Sequence, residues 1–264
     1  MPYLHANGIR LAYQRSGEGE NVLFIMGSGA AGHVWTTYQT PALHQAGFST
    51  VVFDNRGIPP SDTPPGRYSL EDVVADTRGL IEALDLAPCR IVGTSMGAMV
   101  AQELAIRWPD LVRCAVLLAT RARPDTFRRA QVLADRALAE SGVRIPRGHD
   151  AVTTALQMLS PATLNNDETV SSWLEIFELA GQSGSGQAWI DTFLDRRDML
   201  RSVEAPCRVI AFADDRITPP HLCAEVAEAI PDCDFVEISG CGHLGHLERP
   251  DEVNTAIIEF LEKN

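Results

Sequence analysis

One serine in this chain has the surroundings of a catalytic nucleophile. Ser95 is the centre of the run Gly-Thr-Ser-Met-Gly at residues 93–97. A serine on a strained turn needs small flanking residues, because larger side chains there would collide with neighbouring backbone. A hydroxyl presented on such a turn can attack a carbonyl carbon, provided that a base takes its proton.

The residues on either side of Ser95 predict a strand, a turn and a helix. Residues 89–92 form a short apolar run with β-branched members, and residues 98–108 lack glycine and proline. Within the second run, Val100, Leu104 and Trp108 recur at helical spacing. Gly-x-Ser-x-Gly alone is weak in a chain with 20 glycines. Between a strand and a helix it indicates a nucleophile elbow, with the positive end of the helix dipole at the reacting atoms.

Candidate partners for the serine follow two later predicted strands. Asp215 comes just after an apolar run at residues 207–212 and begins an Asp-x-x-x-Pro pattern that ends at Pro219. His243 comes after an alternating run at residues 234–238. A serine hydroxyl needs a base, and the base needs a group that orients it. Histidine and aspartate are the residue types that fill these two roles.

These motifs resemble the α/β-hydrolase superfamily, whose nucleophile, acid and histidine follow one another along the chain in this order. The histidine lies in Gly-His-x-x-x-x-Glu-x-Pro at residues 242–250, which is similar to the pattern of that family. The resemblance implies that Ser95 is the nucleophile and that His243 is the general base and acid. It further implies that Asp215 orients His243.

Two neighbouring residues offer alternatives to these assignments. Asp214 could be the acid in place of Asp215, although the four-residue spacing to Pro219 favours Asp215. His246 lies three residues after His243 and could form a metal pair with it. No further histidine or cysteine has ligand spacing nearby, so we expect no metal and predict that His246 is a packing or solvated residue.

The same resemblance implies an oxyanion hole made by two backbone N–H groups. One belongs to Met96, directly after the serine, and the other to Ser28, in the loop that follows the predicted strand 22–25. The family usually has His-Gly at the start of this loop, whereas this chain has Met-Gly at residues 26–27. In this respect the chain is similar to some esterases that act on bacterial polyketide products.

Strands and helices alternate in two parts of the chain and are interrupted by a helical part. We predict an α/β-hydrolase fold with a mostly parallel sheet and helices on both faces, in a core of residues 1–120 and 205–264. Residues 121–204 are predicted to be a helical cap inserted into that core. Single predicted elements are a helix at 34–45, cap helices at 127–140, 151–159, 170–180 and 188–200, and a hinge at 181–186.

Composition and charge exclude several classes of partner. The formal net charge of −13 argues against nucleic acid, anionic membrane surfaces and polyanionic substrates. No apolar run approaches the ~20 residues that span a bilayer, and the first residues lack the pattern of a signal peptide. Six scattered cysteines without a Cys-x-x-Cys motif favour reduced thiols. We therefore expect a cytoplasmic protein that acts on a small molecule.

The expected function is hydrolysis of a carboxylic ester, lactone or thioester through an acyl-enzyme, with no cofactor. The cap is rich in bulky apolar side chains, so a medium-sized apolar substrate is expected, with Trp173, Phe177 and Trp189 as candidate pocket residues. Trp35, just after the oxyanion loop, is a further candidate. Perhydrolysis as in haloperoxidase-like relatives, acyl transfer or cyclisation in secondary metabolism would use the same triad. A ligand receptor without turnover is a third possibility.

Overall fold

An eight-stranded sheet in the order β1-β2-β4-β3-β5-β6-β7-β8 forms the centre of the protein. A computed structural model describes residues 1–180, 186–190 and 193–264. Strands β3 to β8 run parallel, and β1 and β2 extend one edge in antiparallel pairing. The strands are β1 Tyr3–Ala6, β2 Ile9–Ser16, β3 Glu20–Ile25, β4 Phe48–Phe53, β5 Cys89–Thr94, β6 Val112–Leu118, β7 Cys207–Phe212 and β8 Cys233–Ile238.

Helices cover both faces of this sheet. The α-helices of the described ranges are α1 Gln39–Gln45, α2 Leu70–Ala83, α3 Met96–Arg107, α4 Thr126–Ser141, α5 Arg147–Met158, α6 Pro161–Leu164, α7 Asp167–Ala180, α8 Arg197–Leu200, α9 Pro220–Ala229, α10 Gly245–Glu248 and α11 Pro250–Leu261. Short 3-10 helices occupy Gly32–Thr36, Pro109–Leu111 and Gln187–Trp189.

Successive residues of the central strands enter two separate apolar cores. Leu23 and Ile91 belong to the core on the face covered by α2, α3 and α9. Phe24 and Val92, the next residue along each strand, belong to the core on the face covered by α11. Side chains of a strand alternate between its faces, so strands buried on both faces are apolar throughout. The predicted fold class, a mostly parallel sheet with helices on both faces, is confirmed.

The segment between β6 and β7, which we call the insertion (residues 121–204), contains α4 to α8 and no strand in its described part. The predicted helix at 188–200 is wrong as a single element: Gln187–Trp189 is a 3-10 helix and Arg197–Leu200 is α8, whereas residues 193–196 are not helical. There the Arg196 amide donates to the carbonyl of Ala122, and its guanidinium pairs with the buried carboxylate of Glu103 at 2.8 Å. These contacts hold the chain against the core instead of in a helix. Most of the predicted hinge, 181–185, lies outside the described residues.

The helix predicted at 34–45 is wrong as a single element. The structure has a 3-10 helix at Gly32–Thr36 and then α1, with a break at Tyr38, whose φ is −131°. Pro41 explains the break, because a proline inside a helix removes a hydrogen bond and clashes with the carbonyl four residues earlier. With α1 beginning at Gln39, the proline falls in the first turn, where it is tolerated.

His246 lies in the core and not in solvent. Its ring packs on the fully buried Trp35, with ring centroids 4.9 Å apart, and neither ring nitrogen has a partner among the described residues. Burial, assisted by the charge of His243, lowers the pKa of His246 to about 3. His246 is therefore a neutral packing residue, which is one of the two environments, packed or solvated, that the sequence analysis predicted.

Because His246 is buried, we predict that the folded protein becomes less stable as the pH falls. The unfolded imidazole binds a proton as the pH falls below about 6.5, whereas the folded one resists until about pH 3, so stability decreases with falling pH in that window. Through this one group, the free energy of unfolding can fall by at most about 1.4 kcal/mol per pH unit. Urea unfolding of His246→Leu between about pH 7 and pH 5 should show a weaker pH dependence than wild type.

The control for this experiment is His149→Gln, because His149 is exposed on α5. This variant should keep the wild-type dependence of unfolding free energy on pH. If His246→Leu loses stability on acidification as steeply as wild type does, the buried imidazole is not the cause.

Candidate active site

Ser95 stands on a strained turn between β5 and α3, as predicted. Its backbone has φ 53° and ψ −116°, a conformation that residues other than glycine rarely adopt. A Cβ at Gly93 would lie 2.5 Å from the carbonyl oxygen of Gly97, and one at Gly97 would collide with the carbonyl of Ile25. The two glycines are therefore required by the close approach of α3 to the ends of β5 and β3.

The sheet register brings the other loops to the same edge. Ile25 pairs with Gly93 near the ends of β3 and β5, so the loop after β3 starts beside the serine turn. Phe212 pairs with Ile238 at the ends of β7 and β8, and the loops that carry Asp215 and His243 follow directly. Carboxyl ends of parallel strands are where open α/β sheets bind ligands.

Asp215 and His243 form a buried pair. The Nδ1 atom of His243 lies 2.8 Å from Oδ2 of Asp215, whose side chain has no solvent exposure. The carboxylate also accepts hydrogen bonds from the amides of Ile217 and Thr218 and from the Thr218 hydroxyl, at 2.7–2.9 Å. Burial raises the pKa of Asp215, but His243 and these hydrogen bonds outweigh it, and the net shift is downward.

This pairing determines the chemistry of the histidine. A charged carboxylate at Nδ1 holds the ring hydrogen there and leaves Nε2 as the proton acceptor. No hydrogen bond joins Nε2 of His243 to Oγ of Ser95 in the described structure, and such bonds often tighten only with substrate. Asp214 is half-buried and, in the described structure, makes no hydrogen bond or ion pair with His243, while its amide donates to the carbonyl of Cys241. The geometry thus places Asp215, not Asp214, against the imidazole.

Two backbone amides beside the serine lack acceptors. The N–H groups of Ser28 and Met96 donate to no atom in the described part of the chain. Gly27 brings the loop after β3 against the serine, since a Cβ there would lie 3.3 Å from Cβ of Ser95. Unpaired amides next to a hydroxyl can stabilise the negative charge of a tetrahedral intermediate.

Glu248 ties the histidine loop to the insertion. One oxygen accepts from the amide of Gly242 at 2.6 Å. The other accepts from the amide and hydroxyl of Ser160, at 3.0 and 2.8 Å, and from the hydroxyl of Thr163. The motif at 242–250 contains this glutamate, but the sequence assigned no role to it.

Sequence patterns do not single out Gln187, a buried residue beside the candidate site. It lies in the insertion, is 2% exposed and bonds with the loop after β3 through its side-chain oxygen. Its partners are about 160 residues away along the chain, and no motif surrounds it.

The four candidate pocket residues have different environments. Trp35 is fully buried between Phe24 and His246, so its ring packs the core and forms no wall of an open cleft. Trp173 and Phe177, one turn apart on α7, stack with centroids 5.4 Å apart and are half-buried. Trp189 is half-buried, and the guanidinium of Arg67 lies 3.6 Å from its ring centroid.

The described structure contains no group of three or more His, Cys, Asp or Glu side chains that could hold a metal ion. In the same ranges, every helix is too short or too polar to cross a membrane.

Comparisons with known proteins agree with this geometry. A family model described as alpha/beta hydrolase fold matches residues 20–250. A putative non-heme bromoperoxidase, BpoC of Mycobacterium tuberculosis H37Rv, is 44% identical over 256 residues, which cover 96% of this chain and 97% of that protein. Its crystal structure superposes with a TM-score of 0.91 and 42% identity, covering 96% of each chain.

More distant relatives include two hydrolases. A putative carbamate hydrolase, RutD of Azorhizobium caulinodans, is 27% identical and covers 98% of each chain. The structure of a thermophilic esterase from Thermogutta terrifontis matches with a TM-score of 0.85 and 28% identity, over 100% of this chain and 99% of that one. Together with the fold and the elbow, these matches show that the chain belongs to the α/β-hydrolase family of enzymes.

Proposed function

We propose that this protein is a serine hydrolase that cleaves a carboxylic ester, lactone or thioester through an acyl-enzyme. The observation that carries the proposal is the buried Asp215–His243 hydrogen bond of 2.8 Å at the same edge of the sheet as the strained turn of Ser95. A positioned base and a hydroxyl on an elbow are the parts that acyl transfer to serine requires.

In the acylation half, Nε2 of His243 takes the hydroxyl proton as Oγ of Ser95 attacks the substrate carbonyl carbon. The carbonyl oxygen becomes an oxyanion that accepts hydrogen bonds from the amides of Ser28 and Met96. Collapse of this intermediate breaks the bond to the alcohol or thiol, which leaves with the proton from His243. Throughout, the charge of Asp215 stabilises the imidazolium.

In the deacylation half, water replaces the alcohol. His243 takes one water proton, the hydroxide adds to the acyl carbon, and the second intermediate releases the carboxylic acid while Oγ of Ser95 regains its proton. The esterase and carbamate hydrolase among the relatives support hydrolysis as the outcome.

Perhydrolysis is a second candidate, supported by the 44% identity to a protein named as a putative non-heme bromoperoxidase. Hydrogen peroxide would then take the place of water at the acyl-enzyme. It would lose one proton to His243 and leave as a peroxycarboxylic acid, and no metal would be needed. Both candidates share every step up to the acyl-enzyme.

The insertion supports a medium-sized, largely apolar substrate. If it covers Ser95 as a cap, the aromatic residues Trp173, Phe177 and Trp189 supply apolar surface near the cleft. The formal net charge of −13 disfavours phosphorylated or polyanionic substrates. We infer a preference for acyl groups longer than acetyl and shorter than those of lipids.

Hydrolysis of p-nitrophenyl esters tests this proposal. We expect kcat/KM to peak at intermediate chain length in a series from acetyl to palmitoyl. Ser95→Ala should lower kcat for every ester by about 10³ to 10⁶-fold while the protein stays folded.

Ser202→Ala, an exposed serine outside the site, is the matched control and should keep wild-type rates. An alanine variant at position 95 with more than about a tenth of wild-type kcat would contradict the nucleophile assignment. A steady rise toward palmitoyl would instead indicate a lipase.

Adjacent aspartates provide a second test. Asp215→Asn keeps the size of the side chain but removes the charge that fixes the tautomer of His243, so kcat should fall by about 10⁴-fold. Asp214→Asn changes a carboxylate that does not touch the imidazole, and its kcat should stay within a few-fold of wild type. Steady-state kinetics at saturating ester measure both, and the opposite order would assign the acid to Asp214.

A further inference from the structure

Gln187 connects two loops at the edge of the candidate site. Its side-chain oxygen accepts from the amide of Gly29 at 2.7 Å and from the hydroxyl of Ser28 at 3.2 Å. Its side-chain nitrogen donates to the carbonyl of Arg56 at 2.7 Å. A single buried amide therefore joins the loop after β3 to the loop after β4.

The loop after β4 is held in place by charged hydrogen bonds. The guanidinium of Arg56 makes hydrogen bonds of 2.5 and 2.6 Å to the carboxylate of Asp76, and it also pairs with Asp72 at 3.3 Å. Both aspartates lie on α2, and the Asp76 side chain is buried. The carbonyl that receives the bond from Gln187 is therefore held by charged hydrogen bonds, which are among the stronger kinds.

The neighbours of Gln187 fix its own position. The carbonyl of Gly186 accepts from the amide of Tyr68 at 3.0 Å, and the amide of Ile190 donates to the carbonyl of Gln187 at 3.0 Å. Ile190 is 5% exposed and belongs to the core on the α3 face. Gly186, Gln187 and Ile190 are thus buried, which holds Gln187 at a defined place.

We propose that Gln187 is a positioning residue for the oxyanion hole. It holds Ser28 and Gly29 so that the Ser28 amide, which has no acceptor in the described structure, points toward the reacting carbonyl oxygen. Since Gln187 belongs to the insertion, the insertion contributes to transition-state stabilisation as well as to substrate selection. This inference rests on the serine hydrolase function proposed above.

Loss of this support should lower kcat rather than change KM. Binding of the ground-state ester does not require a well-placed oxyanion donor, whereas the tetrahedral intermediate does. Loss of a direct donor costs about 10²- to 10³-fold, and displacement of a group by about 1 Å can cost 10²-fold. Loss of the support for one donor should therefore lower kcat by about 10- to 100-fold.

The test compares Gln187→Met with Gln157→Met. Methionine keeps the length of glutamine but makes none of the three hydrogen bonds, and Gln157 is a half-buried glutamine on α5. We expect Gln187→Met to lower kcat by about 10- to 100-fold with KM nearly unchanged. Affinity for a trifluoromethyl ketone, whose adduct on Ser95 carries an oxyanion, should fall by a similar factor. The Gln157 variant should match wild type in all three measurements.

Hydrogen exchange of a peptide spanning residues 26–32 provides a readout that does not depend on activity. The amide of Gly29 should exchange faster in Gln187→Met than in wild type, because it loses its acceptor. Absence of ester turnover by the wild type would refute the proposed function. In either case, unchanged exchange of the Gly29 amide in Gln187→Met would refute the role of Gln187. Unchanged kcat and inhibitor affinity in an otherwise active enzyme would also overturn it. If the methionine variant does not fold, Gln187→Asn tests the same directions with smaller effects.

Discussion

The site depends on how closely α3 approaches the end of β3. Gly97 leaves no room for a side chain against the carbonyl of Ile25, and Gly93 leaves none against Gly97. This contact holds Ser95 in a backbone conformation that would be costly elsewhere, of the order of 1–3 kcal/mol. The same contact brings the first amide of α3, that of Met96, next to the loop that carries Ser28. The proposed nucleophile and the proposed oxyanion donors are consequently products of one packing arrangement.

Three of the contacts that tie the insertion to the core involve this arrangement or the loops beside it. Glu248 joins the histidine loop to the start of α6, and Gln187 joins the oxyanion loop to the loop after β4. Arg196 pairs with Glu103, a buried residue of α3 itself. Each tie uses buried polar groups, and removal of a partner would cost hydrogen bonds in the interior. Changes in the insertion are thus expected to reach the proposed catalytic residues.

Much of this arrangement could be predicted because it depends on local sequence. The glycines around Ser95 and the apolar run of each central strand report constraints within a few residues. The spacing from Asp215 to Pro219 likewise identified the aspartate that contacts His243. These patterns also gave the fold, because a mostly parallel sheet requires alternating buried strands and helices.

Features that the sequence did not reveal depend on distant contacts. Gln187 forms hydrogen bonds with residues about 160 positions away along the chain. Arg196 lies in a segment with helical spacing that becomes non-helical because of its contacts with Ala122 and Glu103. Trp35 was expected at the cleft, but its ring is buried in the core beside His246. Periodicity and propensity carry no information about which partner a side chain meets across the fold.

Detection of an acyl group on Ser95 distinguishes the proposed mechanism from catalysis by another residue. The protein would be mixed with p-nitrophenyl butyrate, quenched with acid within the first turnover and analysed by peptide mass spectrometry, with Ser95→Ala in parallel. We expect one butyryl group on the peptide that contains Ser95, formed as fast as p-nitrophenol is released and absent from the variant. Turnover without this adduct, or with the acyl group on another residue, would contradict the proposed mechanism.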